Sequence, residues 1–312
     1  MLLTVEFSNR KSLIGVLSIR IGDPILKISL EPLTEHTVAD TTTQKESRSC
    51  VLGGISLKTY SIAIESGDSL EVGMGFHQEL ESFFKKPVKY LFLSHTHSDH
   101  RNGIDAFKDC TLIASQKCIE NMPKRMNFRR WSKEIFDKKF VLEENELSIE
   151  FYHVGGHAIG SSIAYFPHEK VLFAGDLFIV GSINFGLPFM SFYQNRPKRT
   201  GNPEEYLAAF ALFKSMEIEI IVPGHGDLVL NPQEYLDGQI SFYNSLKSFF
   251  TVMINEGKKL EEIELPRLEP IEQAYRAAEN RPQKSRNVRF LENYLHHLKT
   301  SFYNYYSEKF AI

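Results

Sequence analysis

Leu91-Phe92-Leu93-Ser94-His95-Thr96-His97-Ser98-Asp99-His100 runs an apolar strand straight into a cluster of metal-ligating side chains. Its first residues continue Val88-Lys89-Tyr90, and the run Val88 to Leu93 reads as a buried strand. Its last six residues carry three imidazoles and a carboxylate, in a chain with only 11 His among 312 residues. A polar loop with chance histidines accounts poorly for that density. Imidazole and carboxylate are ligands that suit zinc, iron or manganese. In an extended turn, alternate residues project the same way. His95 and His97 can therefore grip one ion, while Asp99 and His100 turn toward a second.

One loop supplies too few ligands, and three later segments supply more in the same context. Leu147 to Val154 reads as a strand and ends in Gly155-Gly156-His157. Lys170-Val171-Leu172-Phe173-Ala174 ends in Gly175-Asp176. Ile218-Glu219-Ile220-Ile221-Val222 ends in Pro223-Gly224-His225-Gly226. The glycines let the backbone turn sharply and approach an ion closely. Strand ends that each carry a His or Asp after a turn are what a site on one edge of a sheet sandwich needs.

The order HxHxDH, GGH, GD, PGHG over residues 95 to 226 resembles the metallo-β-lactamase superfamily, in particular its glyoxalase II and lactonase-like branch. The resemblance implies an α/β fold: an αββα sandwich, here with extra N-terminal strands and a C-terminal helical cover. It implies that His95, His97 and His157 hold a first metal, that Asp99, His100 and His225 hold a second, and that Asp176 bridges them. The implied cofactors are two divalent ions, Zn first, with Fe or Mn as alternatives. The family's early Asp-x-Gly, whose carboxylate buttresses the metal loops, is matched here to Glu71-Val72-Gly73. Glu71 is read either as that buttress, since partners behind the ligands orient them, or as a surface carboxylate.

Two adjacent metals act as a template and a Lewis acid, and bring the pKa of a shared water to roughly 7. The expected reaction is attack by that hydroxide on a carbonyl carbon or a phosphorus. Asp99 is the catalytic residue expected to orient the nucleophile and carry a proton to the leaving group. No G-x-S-x-G, Cys-His or GxxxxGK[ST] signature competes.

Composition leaves room for a large core at 42% hydrophobic residues, and the net charge of −3 points to no polyanionic partner. Cys50, Cys110 and Cys118 form no CxxC pair, which fits a reducing compartment. No signal peptide or membrane-length apolar run is read, so a cytoplasmic location is expected. The expected domains are residues 1–257, with 1–50 as a β extension, and a helical segment 258–312 packed on the first.

Along the chain, residues 51 to 75 read as two strands joined by a turn at Ser66-Gly67-Asp68, and Gly75 to Lys86 reads as a helix. Asn202-Pro203 and Asn231-Pro232 are helix starts. Val288, Leu291, Leu295, Leu298, Phe302 and Tyr305 recur at helical spacing and predict an amphipathic C-terminal helix. A partner-binding or homodimer helix is the alternative to a cover. His36, His77, His168, His296 and His297 lack motif context and are read as solvent-facing.

Substrate clues are fewer. The apolar stretch Phe178 to Met190 follows a ligand directly, so Phe178 is a candidate pocket wall, with Tyr193 and Asn195 as candidate polar contacts. The basic segment Pro123 to Trp131 is read as an anion clamp or a solvated face. The favoured function is hydrolysis of a small ester, thioester or lactone, with a small-molecule substrate and neither membrane nor nucleic acid as partner. The alternatives are a phosphodiesterase or ribonuclease, a mono-iron persulfide dioxygenase, and a non-catalytic metal-binding protein.

Overall fold

Strand alternation sorts the apolar residues into layers. In Ser61–Ile64, Ile62 and Ile64 face one way and Ala63 the other; in Val88–Phe92, Phe92 joins the first set and Leu91 the second. A two-residue period with both sets apolar means a sheet buried on both faces. The computed structural model describes residues 28–42, 49–124, 126, 131–181, 187–190 and 201–310.

Two sheets result. The first has seven strands in sequential order: β1 (Glu31–Pro32), β2 (Thr37–Asp40), β3 (Leu52–Ser56), β4 (Ser61–Ile64), β5 (Val88–Phe92), β6 (Thr111–Ser115) and β7 (Lys133–Phe136). Pairing is antiparallel up to β4 and parallel from β4 to β7. The second sheet runs β12-β11-β10-β9-β8, from β8 (Lys139–Glu144), β9 (Leu147–His153), β10 (Ser162–Phe166), β11 (Val171–Val180) and β12 (Ile220–Gly226). Only β11 and β12 pair in parallel there.

Between the sheets lie Ile62, Ile64, Phe92 and Ile113 from the first and Phe151, Ala164, Phe166, Phe173 and Val222 from the second. The outer face of the first sheet is covered by α1 (Leu70–Phe84), through Val72, Phe76 and Leu80, and by the turn Ile104–Phe107. Two short helices, α2 (Ser98–Arg101) and α3 (Gln116–Glu120), complete that side. The outer face of the second sheet is covered by α4 (Pro203–Lys214), α5 (Pro232–Asn255), α6 (Glu269–Asn280) and α7 (Lys284–Phe310). This is the αββα sandwich with added strands at one end and helices at the other. No helix among the described residues is long and apolar enough to cross a membrane.

The segment Ser66-Gly67-Asp68 is not a hairpin turn. The β3–β4 turn is Leu57–Tyr60, closed by Leu57 N–H to the Tyr60 carbonyl at 2.9 Å. Ser66 to Ser69 instead lead into α1, whose N-cap Ser69 accepts from Val72 N–H at 3.3 Å. The helix therefore begins before Gly75. His36 and His77 also differ from expectation. His36 binds the Glu169 carboxylate at 2.8 Å, tying the β1–β2 turn to the β10–β11 turn, and His77 stacks on Phe107. The three cysteines are buried and free. Most of the basic segment 123–131 lies outside the described residues.

Candidate metal centre

All seven ligand candidates converge at one end of the sandwich. His95 and His97 follow β5, and Asp99 and His100 sit on α2, whose single turn reverses the chain and buries His100 completely. His157 follows β9. Asp176 lies inside β11, where the parallel register with β12 breaks between Phe173 and Gly175 and again between Gly175 and Ile179. His225 lies inside β12. The first sheet thus delivers four of these side chains and the second sheet three.

Backbone bonds fix the approach. Glu65 N–H donates to the Phe92 carbonyl at 2.9 Å and Ser66 N–H to the His100 carbonyl at 2.8 Å, so the end of β4 holds both ends of the histidine loop. Ser162 N–H donates to the Ser94 carbonyl at 2.9 Å and joins the two sheets beside it. Gly224 is required by close approach: a Cβ there would lie 2.0 Å from Asp176 Oδ1. Gly155, at φ +69°, lets the His157 loop turn, and a Cβ there would lie 2.2 Å from Glu205 Oε2.

The donor atoms form two groups that share Asp176. In the first, His157 Nε2 lies 2.9 Å from His97 Nδ1 and 3.3 Å from Asp176 Oδ2, and His95 Nε2 lies 3.7 Å from the same oxygen. In the second, His100 Nε2 lies 3.0 Å from Asp176 Oδ1, and His225 Nε2 lies 3.6 Å from Asp176 Oδ1 and 3.0 Å from Asp99 Oδ2. Within each group the donors all lie within 4.8 Å of one another.

Electrostatics follow from this crowding. Burial lowers His95 well below the ordinary histidine value, lowers His97 to about 4 and lowers His157, with neighbouring imidazoles adding to the effect on His95 and His97. Burial also opposes charge on His100, but the Asp176, Glu65 and Asp99 carboxylates outweigh it and hold that ring well above the ordinary value. Burial works against ionising Asp176, yet His100, His225 and His157 hold its carboxyl well below the usual range. Burial is likewise outweighed at Asp99, by His100 and the bond from His225. Burial pushes the Cys50 thiol up to about 11.

These donors fit a metal. His95 Nε2, His100 Nε2 and Asp176 Oδ1 are buried without a hydrogen-bond partner. Buried polar atoms left unpaired cost about 1–3 kcal/mol each, and a cation among them removes that cost. Three neutral imidazoles with ionised carboxylates are nitrogen and oxygen donors of the kind divalent first-row ions take.

Glu71 requires a correction. It lies exposed in the first turn of α1, where its charge suits the helix N-terminus and touches no ligand. The buttress is Glu65. Its carboxylate is 2% exposed, with Oε1 3.2 Å from His100 Nδ1 and Oε2 accepting from Ser94 N–H at 3.3 Å. The signal was present, because Glu65-Ser66-Gly67 follows the strand Ser61–Ile64 directly and keeps the spacing of Asp-x-Gly. Phe178 is also corrected. At 1% exposure it stacks on Phe210 at 5.5 Å, beside Phe213 and Tyr235, as a core residue and not a pocket wall. Tyr193 and Asn195 lie outside the described residues.

Further residues support the site without having been read from the sequence. Glu205 Oε2 accepts from Gly156 N–H at 2.9 Å. His157 Nδ1 donates to the Phe189 carbonyl at 2.7 Å, and Tyr206 donates its hydroxyl to the same oxygen at 2.8 Å. None sits in a recognisable motif, since a backbone carbonyl partner leaves no mark on residue identity.

The sequence model of the Metallo-beta-lactamase superfamily matches residues 64–225. No curated protein matches the chain in sequence. Among solved structures the chain is similar to a metallo-beta-lactamase from Pontibacter korlensis, at 18% identity and a TM-score of 0.54, over 70% of this chain and 99% of that one. It is similar to the DIM-1 metallo-beta-lactamase at 17% identity and a TM-score of 0.53, over 70% and 98%. It is also similar to a double mutant of the sec-alkyl sulfatase PisA1 at 15% identity and a TM-score of 0.58, over 77% of this chain and 46% of that one. At these identities the structures share a fold with this chain.

Proposed function

The chain belongs to the metallo-beta-lactamase superfamily, and on that premise we propose that it is a hydrolase that holds two divalent ions, zinc in the first instance, and opens a small ester, thioester or lactone. One observation carries the reading: the two oxygens of Asp176 face separate donor groups, Oδ2 toward His95 and His157 and Oδ1 toward His100 and His225. A carboxylate split in this way is the natural bridge of a paired site. His95, His97, His157 and Asp176 would hold one ion, and Asp99, His100, Asp176 and His225 the other. Bound there, the ions supply Lewis acidity at the acyl oxygen and bring a water's pKa to roughly 7.

The remaining work falls to the chain. Asp99 is the least buried of the carboxylates here, at 27% side-chain exposure, and is held ionised. It accepts a proton from the attacking water and returns it to the leaving group. Glu65 fixes the ring of His100. Phe189, half-buried with its ring 5.7 Å from His157, offers an apolar wall to an acyl chain. The 49-residue spacing from Asp176 to His225 leaves no room for the inserted domain of a large nuclease.

The test compares hydrolysis of a thioester and a lactone with that of a phosphodiester and a secondary alkyl sulfate ester, on zinc-loaded protein with His97→Ala as the blank. The acyl substrates should turn over fastest, and His97→Ala should lose the zinc of its own donor group and turnover together. Faster hydrolysis of the phosphodiester or sulfate ester overturns the acyl assignment. Undiminished turnover in His97→Ala overturns the site.

A further inference from the structure

We propose that the C-terminal helix α7 positions His157 for metal binding, through buried hydroxyls that fix the backbone of Leu187–Met190. The inference rests on the reading of His157 as a ligand. Because the Phe189 carbonyl can only accept, the 2.7 Å bond from His157 Nδ1 places the ring proton on that nitrogen. Nε2 is thereby left with its lone pair, aimed at His97 Nδ1 and Asp176 Oδ2. Tautomer and ring direction of His157 are therefore set by where the Phe189 oxygen sits.

Residues 187–190 belong to no helix or strand, so no ladder holds that oxygen in place. Buried hydroxyls do so instead. Tyr294 donates to the Leu187 carbonyl at 3.4 Å, Tyr206 to the Phe189 carbonyl at 2.8 Å and Ser301 to the Met190 carbonyl at 2.9 Å. Tyr294 and Ser301 both lie on α7, seven residues and about two turns apart, on one face. The Tyr294 ring also packs 5.9 Å from the Phe189 ring, and the side chains of Leu187 and Met190 are each 1% exposed in the core that α7 completes.

A helix serving only as a lid on the core would place apolar side chains on this face, because burying a hydroxyl costs free energy unless it is bonded. Ser301 is 2% exposed and Tyr294 5%, and both donate a hydroxyl to this segment. The chain of contacts runs from α7 to Leu187–Met190, to the Phe189 carbonyl, to His157.

The experiment measures zinc affinity by competition with a chromophoric chelator, the visible spectrum of the cobalt-loaded protein, and melting in excess chelator. The proteins are wild type, Tyr294→Phe, and Tyr294→Phe with Ser301→Ala. The double variant should bind one of its two ions about tenfold more weakly, the lower end for partners behind a ligand. Its cobalt spectrum should shift, and the affinity of the other ion should stay unchanged. Tyr294→Phe, which keeps the ring and so the packing, should show the same spectral shift in smaller degree and serves alone should the double variant not fold. Unchanged affinity and spectrum with a lowered melting temperature would make α7 a cover and overturn the inference. A wild-type protein that takes up no zinc overturns the site reading itself, a result distinct from wild type and variants binding alike.

Discussion

Glu65 holds a left-handed backbone, φ +67°, that side chains with a Cβ rarely adopt. Such strain is tolerated where surrounding contacts fix it, and here Oε2 accepts from Ser94 N–H while Oε1 lies at ion-pair distance, 3.2 Å, from His100 Nδ1. Glu65→Gln keeps the volume and removes the charge. It should weaken metal binding by roughly tenfold to a hundredfold in a chelator competition, whereas Glu71→Gln, exposed on α1, should bind like wild type. Undiminished binding in Glu65→Gln would take the buttress from Glu65, and weakening by Glu71→Gln alone would return it to Glu71. Legibility at this scale followed chemistry: each residue of the two donor groups was readable because His or Asp after a strand is conspicuous. Glu65 was not distinguished because Glu65-Ser66-Gly67 and Glu71-Val72-Gly73 share one spacing six residues apart, and only the strand end at Ile64 separates them. His97 gives a second prediction. Its folded pKa of about 4 lies below the ordinary 6.5 because the ring is buried among other imidazoles. Between those values the unfolded chain binds more protons, so the contribution to stability is complete above pH 6.5 and is lost as pH falls toward 4. In chelator-treated protein, wild type should lose stability over that window more steeply than His97→Gln, by up to about 3 kcal/mol. Parallel curves for the two proteins would contradict the burial of a neutral ring.

At the scale of elements, caps and periodicity were readable where they were local. Asn202 accepts from Glu205 N–H at 2.8 Å, as its place before Pro203 predicts, and α7 buries Leu291, Leu295, Leu298 and Phe302 at the spacing read from the sequence. The start of α1 was misplaced because Leu70 and Met74 are apolar yet 49% and 59% exposed, so the stretch before Gly75 imitated a strand. Ser69 as a cap and Glu71 in the first turn would have corrected it. Asp176 was expected past the end of a short strand at Ala174. β11 in fact runs on to Val180, and the carboxylate projects from a break in its register. Bulges of this kind re-aim a side chain beside active sites, and they depend on the partner strand β12, which lies far away in sequence. The support that α7 gives to His157 was hidden for the same reason, since its contacts run from hydroxyls to carbonyls more than a hundred residues apart.

For the molecule as a whole, the positions of the candidate ligands would make a bound metal a fastener between layers. His95, His97, Asp99 and His100 come from the first sheet, and His157, Asp176 and His225 from the second. In the unfolded chain these side chains are scattered over 131 positions, from 95 to 225, so an ion has no comparable site there. An ion that binds only the folded state stabilises it by RT ln(1 + [L]/Kd), about 4 kcal/mol for one ion at roughly a thousand times Kd. Excess chelator should therefore lower the melting temperature of zinc-loaded wild type by several degrees. Net charge sharpens the expectation: the ionised Asp99 and Asp176 crowd one buried end, and removing the cations leaves their repulsion to the neighbouring imidazoles, His100 first. In His97→Ala the first donor group is broken while the second stays whole, so the chelator-induced shift should shrink without vanishing. Asp176→Asn takes the shared charge from both groups, so its shift should fall further than that of His97→Ala. Differential scanning fluorimetry with and without chelator reads all three proteins directly. An order in which Asp176→Asn responds like wild type would mean that the two oxygens of Asp176 do not join the groups, and the paired site would fail with it.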